Sequence, residues 1–330
     1  MKSILLAFMI AITAVAAQAQ TQGVVAVGTF TATTTYQDPG IVGYVAYLDL
    51  SKSNFTPVVT PLDVACRSAG DGQVRAIPTR SFAELNHTLL AITANTGYDL
   101  PALNSCCVPA GVIIAKGRLV NPGQTGGPTL YFPKAATSAT ITSGNLPATG
   151  VEWAVAGSTN TNNNCTDLYQ PGTALIYTDS TGRHPGACPG PKALSIAARG
   201  AAGLDKTGRI LIIAVVEGTE NSSGLKTLDW AYLMMGLGAY SAVNFDGGGS
   251  TTFYWTPDDH GLPQSEALAT MLKDAKFPSD QHDNWNNLAF TTAVGEPKDP
   301  IRFDNQCPDP KNPLTCGRPI YGSLGFTYQP

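Results

Sequence analysis

The stretch DGGGSTT, residues 246–252, brings together a carboxylate, three bare backbone units and three hydroxyl groups. Glycine has no Cβ, so Gly247–Gly249 let another molecule approach the backbone, at a cost in conformational entropy that few turns require three times over. Consecutive backbone amides can bind an anion, and Ser250 and Thr251 add hydroxyl donors. The motif therefore predicts a bend between strands that binds an anion or a sugar beside Asp246. No lysine and no helical pattern follow the glycines, which excludes a Walker loop and a dinucleotide-binding loop.

A strand–helix–strand pattern leads into this motif. The apolar run 209–217 ends at Glu217, the helix-length segment 225–238 is apolar on nearly every face, and the short apolar run 241–246 ends at Asp246. Continuous apolar runs are typical of strands buried on both faces. The pattern predicts a βαβ unit (strand 209-217, helix 225-238, strand 241-246) in an α+β fold with a mixed β-sheet core. If these strands are parallel, their carboxyl ends meet at one edge, and both acids lie side by side there. The alternative is that both acids only cap turns.

Further polar residues have a functional and a plain interpretation. Arg199 lies among small apolar residues, so it is either an edge residue that reaches solvent or a buried functional cation. The histidines form no HxxxH or HExxH pattern, and no GxSxG motif is present. Asp258 and Asp259 are interpreted as a solvated charged turn, with a divalent cation such as calcium as the alternative. We predict no cofactor beyond that alternative.

The N-terminus predicts export. Lys2 precedes an apolar run that ends in Ala17-Gln18-Ala19, a pattern typical of a signal peptide cleaved after residue 19. The apolar core is too short for a membrane span, and no other segment is long enough. We therefore expect residues 20–330 to form one domain of a secreted or periplasmic protein. With 13% charged residues and a net charge of −4, the chain lacks the basic face of a nucleic-acid-binding protein.

Seven cysteines in an exported chain predict disulfides, and because seven is odd, at least one thiol is free or pairs between chains. Cys307 and Cys316 enclose a short proline-rich loop and form the first predicted pair, and Cys165 with Cys188 is the second. The vicinal Cys106 and Cys107 are each expected to be bonded elsewhere, with a reactive thiol as the alternative.

Four stretches resemble, in order and spacing, segments of the phosphodiester glycosidase family. AVNFDGGGSTTF resembles the signature AINLDGGGSTT, and ITANTGYD resembles Asn-Gly-Gly-Phe-Phe at Asn95, Gly97 and Tyr98. ARGAAG resembles Arg-Thr-Ala-x-Gly, and IIAVVEG resembles the strand LLVVVDGR with glutamate in place of aspartate. The similarity covers about residues 85–255 and leaves 256–330 as an extension. The chain departs from the family at Gly200, in place of threonine, and at Thr219, in place of arginine.

The resemblance implies an α+β fold, an exported protein and hydrolysis of a sugar 1-phosphodiester. The residues implied to line its pocket, together with the two hydroxyl residues next to them, are Asn95, Arg199, Glu217, Asn244, Asp246, Gly247, Gly248, Gly249, Ser250 and Thr251. Under this hypothesis Arg199, the glycine amides and Ser250 hold the phosphate. Asp246 or Glu217 activates water or stabilises an oxocarbenium-like centre, with Asp246 as the principal acid. The alternative, motivated by Thr219 and the extension, is a secreted glycan-binding or surface-structural protein that has lost catalysis.

Overall fold

The computed structural model describes sixteen stretches of the chain. They are residues 25–34, 37–52, 54–69, 73–95, 97, 101–123, 128–142, 150–157, 176–179, 182–185, 196–218, 224–255, 265–273, 285–292, 301–302 and 318–329. Several predictions fall outside them: the signal peptide, both predicted cysteine pairs, Tyr98, Thr219 and the Asp258-Asp259 turn.

The described residues contain twenty strands and four α-helices. The strands are β1 Val25–Thr34, β2 Gln37–Asp49, β3 Phe55–Val59, β4 Val74–Arg75, β5 Leu90–Thr93, β6 Cys106–Cys107, β7 Val112–Ala115, β8 Arg118–Pro122, β9 Thr129–Pro133, β10 Thr140–Thr142, β11 Val151–Ala156, β12 Ile176–Asp179, β13 Gly182–Pro185, β14 Arg199–Leu204, β15 Ile210–Val216, β16 Ser241–Asn244, β17 Thr252–Trp255, β18 Trp285–Thr292, β19 Ile301–Arg302 and β20 Ser323–Tyr328. The helices are α1 Val64–Ala69, α2 Thr79–Leu85, α3 Thr227–Gly236 and α4 Glu266–Lys273. Leu50–Lys52 and Gly248–Ser250 form single 3₁₀ turns.

One eight-stranded sheet contains the predicted βαβ unit. Its strand order is β13-β12-β16-β14-β15-β2-β1-β18. β14 is antiparallel to both β15 and β16, so these two strands run parallel to each other, and α3 connects them. The α+β prediction is confirmed, with shorter elements than expected. The expectation that Glu217 and Asp246 lie directly side by side is wrong, because β14 inserts between their strands.

Both faces of this sheet are buried, as the apolar run 209–217 predicts. Leu211, Ile213 and Val215 of β15 face a core shared with two five-stranded sheets, whereas Ile212 and Ala214 face the helical side. There Trp230, Leu233 and Met234 of α3 are fully buried. Two hydrogen bonds end the helix: Gly238 N–H donates to the Met235 carbonyl, and Ala239 N–H donates to the Met234 carbonyl. This ending requires a positive φ, and Gly238 has a φ of +96°.

Two five-stranded sheets cover the other face. Their orders are β10-β9-β11-β7-β8 and β19-β17-β5-β20-β3. In the second sheet, β20 from the C-terminal extension is hydrogen-bonded between β5 and β3. Helix α2 packs on the outer side of that sheet through Phe82 and Ala83. The extension therefore supplies an interior strand of the fold.

Two short sequences predict hairpin turns, with different outcomes. Lys116-Gly117 predicts a turn between two strands, and it joins β7 to β8 as predicted. Asp38-Pro39-Gly40 also predicts a turn between two strands, but this prediction is wrong, because β2 already begins at Gln37, which pairs with Thr34 of β1. β15 ends opposite Gly43, so residues 37–40 of β2 extend beyond the end of β15. Proline has no N–H group, and at position 39 none is needed for a hydrogen bond to β15.

The described disulfide joins Cys66 to Cys106, a pair that the spacing of the cysteines does not single out. Cys107 is a buried free thiol, so the expectation that both vicinal cysteines are bonded is wrong for this residue. Successive strand residues point to opposite sides, and only Cys106 of β6 therefore meets Cys66. Burial raises the pKa of the Cys107 thiol to about 11, which keeps it protonated at neutral pH.

In the part of the chain that the structure describes, no helix has the length and apolar character needed to cross a membrane.

Candidate active site

The loop formed by residues 246–251, here called the glycine loop, carries the chain from one sheet to another. Phe245 N–H still donates to the Gly200 carbonyl of the eight-stranded sheet (2.8 Å), but Asp246 N–H donates to the carbonyl of Ala94, just after β5 (2.9 Å). After the loop, β17 pairs with β5 in the second five-stranded sheet. The bend predicted from the glycines therefore connects two sheets, and Asp246 lies at their junction.

Each of the three glycines has a different reason to be glycine. A Cβ on Gly247 would lie 3.0 Å from the Ala198 carbonyl oxygen. Gly248 has a φ of +61°, which favours glycine, and a Cβ there would meet nothing described within 4 Å. A Cβ on Gly249 would lie 2.6 Å from Nη2 of Arg318. The middle glycine thus borders open space, and its two neighbours make room for protein atoms.

Two of the three amides expected to bind an anion already have acceptors in the chain. Gly247 N–H donates to Oδ1 of Asp246 (3.1 Å), and Gly248 N–H donates to the Ala198 carbonyl (2.9 Å). These two amides would have to give up their present hydrogen bonds before they could donate to a phosphate oxygen. The charge that neutralises an anion here must therefore come mainly from side chains.

Arg199 is the cation nearest the start of the glycine loop. It is the first residue of β14 and is only 9% exposed, which agrees with the buried-cation alternative. Its Nε donates to the Leu225 carbonyl (2.8 Å), and its Nη1 lies 3.8 Å from the position of a Cβ on Gly247. Burial lowers the pKa of the guanidinium to about 10, so Arg199 remains charged at neutral pH.

Glu217 follows β15 and accepts a hydrogen bond from the Tyr44 hydroxyl (3.1 Å). Burial and the negative charge of Glu217 raise the pKa of Tyr44 to about 12, so this hydroxyl stays a donor. By strand alternation Glu217 shares the face of Val215, whereas Arg199 shares the helical face of Ala201. Arg199 and Glu217 therefore reach the same edge from opposite faces of the sheet.

The other predicted residues lie at different depths. Asn95 is fully buried and donates through Nδ2 to the Val112 carbonyl (3.3 Å), and Ser250 and Thr251 are also buried. Asn244 and Asp246 are partly exposed. Within the described structure, three buried oxygens around the loop have no hydrogen-bond partner: Oδ1 of Asn95, Oδ1 of Asn244 and Oγ1 of Thr251. Because such atoms are costly when unsatisfied, a polar ligand or water at this site would stabilise them.

Sequence reasoning missed the contribution of residues 318–322. The Arg318 guanidinium lies against Gly249, the Tyr321 ring packs on Gly97, and Gly322 packs against the Asn95 side chain. No short motif marks these residues, and they lie more than sixty positions after the glycine loop. The hydrophobic strand pattern of 323–328 was the available signal that this segment returns to the core.

A relay of buried hydroxyls supports the glycine loop from below. Thr93 Oγ1 donates to the Ser250 carbonyl (2.6 Å) and pairs with Thr79 Oγ1 (2.8 Å), which in turn accepts from Ser323 Oγ (3.2 Å). A hydroxyl has a single proton. Since Thr93 gives its proton to Ser250, Thr79 must be the donor to Thr93, and all three bonds run in one direction.

Thr93→Val tests this support, because valine has nearly the same shape but no hydroxyl. We expect the free energy of unfolding to fall by about 1–3 kcal/mol, the cost of leaving a buried carbonyl unsatisfied. We also expect a several-fold lower kcat, since the loop loses an anchor. Urea unfolding and steady-state kinetics measure the two effects. Thr93→Ser is the matched control, and equal kcat values for the two variants would contradict the positioning role.

Among the described residues, no group of three or more His, Cys, Asp or Glu side chains comes together in a way that could hold a metal ion.

Comparison with known proteins agrees with the motifs. The family model for phosphodiester glycosidases matches residues 86–272, more than half of the chain. No curated protein matches the chain. Among solved structures, the zebrafish N-acetylglucosamine-1-phosphodiester α-N-acetylglucosaminidase catalytic domain, auto-inhibited by its pro-peptide, is similar with a TM-score of 0.54 and 17% identity, over 94% of this chain and 85% of that one. A hypothetical protein from Synechocystis is similar with a TM-score of 0.52 and 10% identity, over 92% of this chain and 62% of that one.

At these identities the solved structures establish the fold, and the family match extends the assignment to the sequence. The matched region contains the four stretches recognised above, among them the glycine loop, Arg199 and Glu217. The chain therefore belongs to the phosphodiester glycosidase family and is a glycosidase-like hydrolase.

Proposed function

We propose that the protein hydrolyses a sugar 1-phosphodiester in a pocket centred on the glycine loop. The observation that carries the proposal is the pairing of a buried cation with a partly exposed acid at Gly247. Arg199 Nη1 lies 3.8 Å from the position of a Cβ on this glycine, and Asp246 directly precedes it. A phosphodiester needs charge neutralisation, and its anomeric carbon needs a carboxylate nearby.

The chemistry follows from these two groups. Arg199 binds a non-bridging phosphate oxygen and stabilises the phosphate as the leaving group. Asp246 accepts a proton from water, whose oxygen bonds to the anomeric carbon as the bond from that carbon to the phosphate oxygen breaks. The electron pair of the broken bond stays on the phosphate, so the products are the free sugar and a phosphomonoester. Phosphate leaves readily, and strong acid assistance is therefore unnecessary.

Glu217 is the second carboxylate of the proposed site. Its hydrogen bond from Tyr44 fixes the side chain at the edge where β15 ends. An anionic carboxylate in this position would stabilise the positive charge that develops on the sugar ring. Asn244, Ser250 and Thr251 are proposed to complete the polar surroundings of the substrate, with Asn95 supporting them from beneath the loop.

We further propose that the protein is exported and works without a cofactor. The signal-peptide pattern in residues 1–19 and the Cys66–Cys106 disulfide both fit an oxidising compartment. N-terminal sequencing of the secreted protein should begin at Gln20. The side-chain cation Arg199 can serve the phosphate without a metal, so activity should survive treatment with a chelator.

The direct test is an assay of the purified protein against a panel of sugar 1-phosphodiesters, with uncharged glycosides of the same sugars as controls. We expect release of free sugar and phosphomonoester from at least one phosphodiester, and much slower release from its uncharged counterpart. Failure to cleave any phosphodiester, with or without calcium, would overturn the proposal. Binding of glycans in the absence of any cleavage would favour the glycan-binding alternative.

A further inference from the structure

Arg318 lies against the glycine loop, although it is outside the region that matches the family. A Cβ on Gly249 would lie 2.6 Å from Nη2, 2.8 Å from Cζ and 3.1 Å from Nη1 of this arginine. All three distances are short, so the guanidinium lies close to the Gly249 backbone. Any side chain at position 249 would displace it.

The backbone around Arg318 is well supported. Pro319 fixes its own φ, and the Ile320 N–H bonds to the Ile77 carbonyl in an isolated antiparallel bridge. Tyr321 is buried against Gly97. The residues that follow Arg318 therefore anchor it to two parts of the core, which is the rigid support that a binding side chain needs.

Arg318 and Arg199 contact the two ends of the same glycine triplet. Arg199 approaches Gly247 and Arg318 approaches Gly249, whose Cα atoms are at most about 7 Å apart. An anion bound at this triplet could therefore be reached by a cation from each end. A phosphodiester has one negative charge shared by two non-bridging oxygens, one for each guanidinium. Gly248, between these two glycines, has no described atom within 4 Å of the position of a Cβ.

We propose that Arg318 is a substrate-binding residue that holds the phosphate from the side opposite Arg199 and makes the site specific for an anionic leaving group. The proposal rests on the proposed function, because it assigns a second contact to the same phosphate. The two arginines have different tasks. Arg199 is buried and donates to a backbone carbonyl, whereas Arg318 is partly exposed. Arg318 should therefore affect substrate affinity more than the chemical step.

Arg318→Ala is the principal test, with Arg209→Ala as the matched control. Arg209 is exposed in the turn between β14 and β15, about 20 Å along the strand from the candidate site. Calorimetry with α-N-acetylglucosamine 1-phosphate and with inorganic phosphate measures anion binding without turnover. We expect Arg318→Ala to bind both ligands at least about tenfold more weakly than the wild type, which corresponds to the loss of one charge-assisted hydrogen bond. KM for a cleaved phosphodiester should rise similarly, with a smaller change in kcat.

Two further variants separate binding from folding. Arg318→Lys keeps the charge without the planar fork, so its affinity should lie between those of the wild type and the alanine variant. Gly249→Ala leaves Arg318 in the chain but displaces its guanidinium, and should weaken anion binding as well. Circular dichroism and thermal melts show whether each variant is folded.

The outcomes distinguish this inference from the proposed function. If the wild type cleaves phosphodiesters and Arg318→Ala binds and cleaves them normally, the inference is wrong and the proposed function stands. If the wild type cleaves nothing but binds sugar phosphate through Arg318, the proposed function is wrong and the anion-binding role stands.

Discussion

Asp246→Asn is expected to lower kcat for a sugar 1-phosphodiester by about 10³-fold, within the range typical of a lost general base or acid. The substitution removes the charge and the proton-accepting ability of the side chain. It preserves Oδ1, which accepts the hydrogen bond from Gly247 N–H at 3.1 Å. The loop should therefore keep its shape, and the variant should bind sugar 1-phosphate with nearly normal affinity. Steady-state kinetics, calorimetry and a thermal melt measure these three properties.

Asp205→Asn is the matched control for this experiment. Asp205 also accepts backbone hydrogen bonds through Oδ1, but it lies at the opposite end of β14, in the turn with Arg209. Its replacement should leave kcat unchanged. Near-normal turnover in Asp246→Asn, combined with a large loss in Glu217→Gln, would move the principal role to Glu217. Near-normal turnover in both variants would overturn the two-carboxylate mechanism.

Arg199→Ala should lower kcat/KM for a phosphodiester by about 10²–10³-fold, the loss typical of removing one donor to a developing negative charge. Arg199 lies next to the start of the glycine loop and retains its charge at neutral pH. KM should rise because the bound substrate loses a contact to its phosphate, and kcat should fall because the leaving phosphate carries more charge in the transition state than in the bound substrate. Kinetics with the best substrate of the panel tests the expectation.

The control for Arg199→Ala is the binding of the free sugar, which has no phosphate to lose. Its affinity should change less than threefold, while that of the sugar 1-phosphate falls. The Leu225 carbonyl also loses its donor, so stability must be measured in parallel; a cost of about 1–3 kcal/mol is expected. Equal losses for the free sugar and its phosphate would show that the variant distorts the pocket instead of removing a phosphate contact.

The sequence predicts the βαβ unit because its signals are local. The run 209–217 is apolar at every buried position, and Gly236 and Gly238 mark the end of α3. What the sequence could not indicate is the strand that lies between β15 and β16. β14 consists mainly of glycine and alanine, which have low strand propensity, and its burial comes from the neighbours on both sides. The two acids therefore do not follow adjacent strands, contrary to the expectation that they lie side by side.

The candidate site was predictable where it lies in one continuous motif and unpredictable where distant segments meet. The DGGGSTT motif identifies the glycine loop, and the match to the family covers it. The different roles of the three glycines depend on Ala198 and Arg318, which are far from them in sequence. Likewise, the hydroxyl relay joins Thr79, Thr93 and Ser323, and no local pattern indicates such a contact.

The interior position of β20 in its sheet determines when the candidate site can form. Among the described strands β20 is the last to be synthesised, yet it lies between β5 and β3, and its approach segment brings Arg318 to Gly249. Until these residues leave the ribosome, β3 lacks its neighbour in this sheet and the glycine loop lacks one flank. Contacts so distant in sequence form slowly. The nascent chain therefore cannot complete the candidate site when the glycine loop emerges, because the loop must wait for residues 318–329, which are synthesised later.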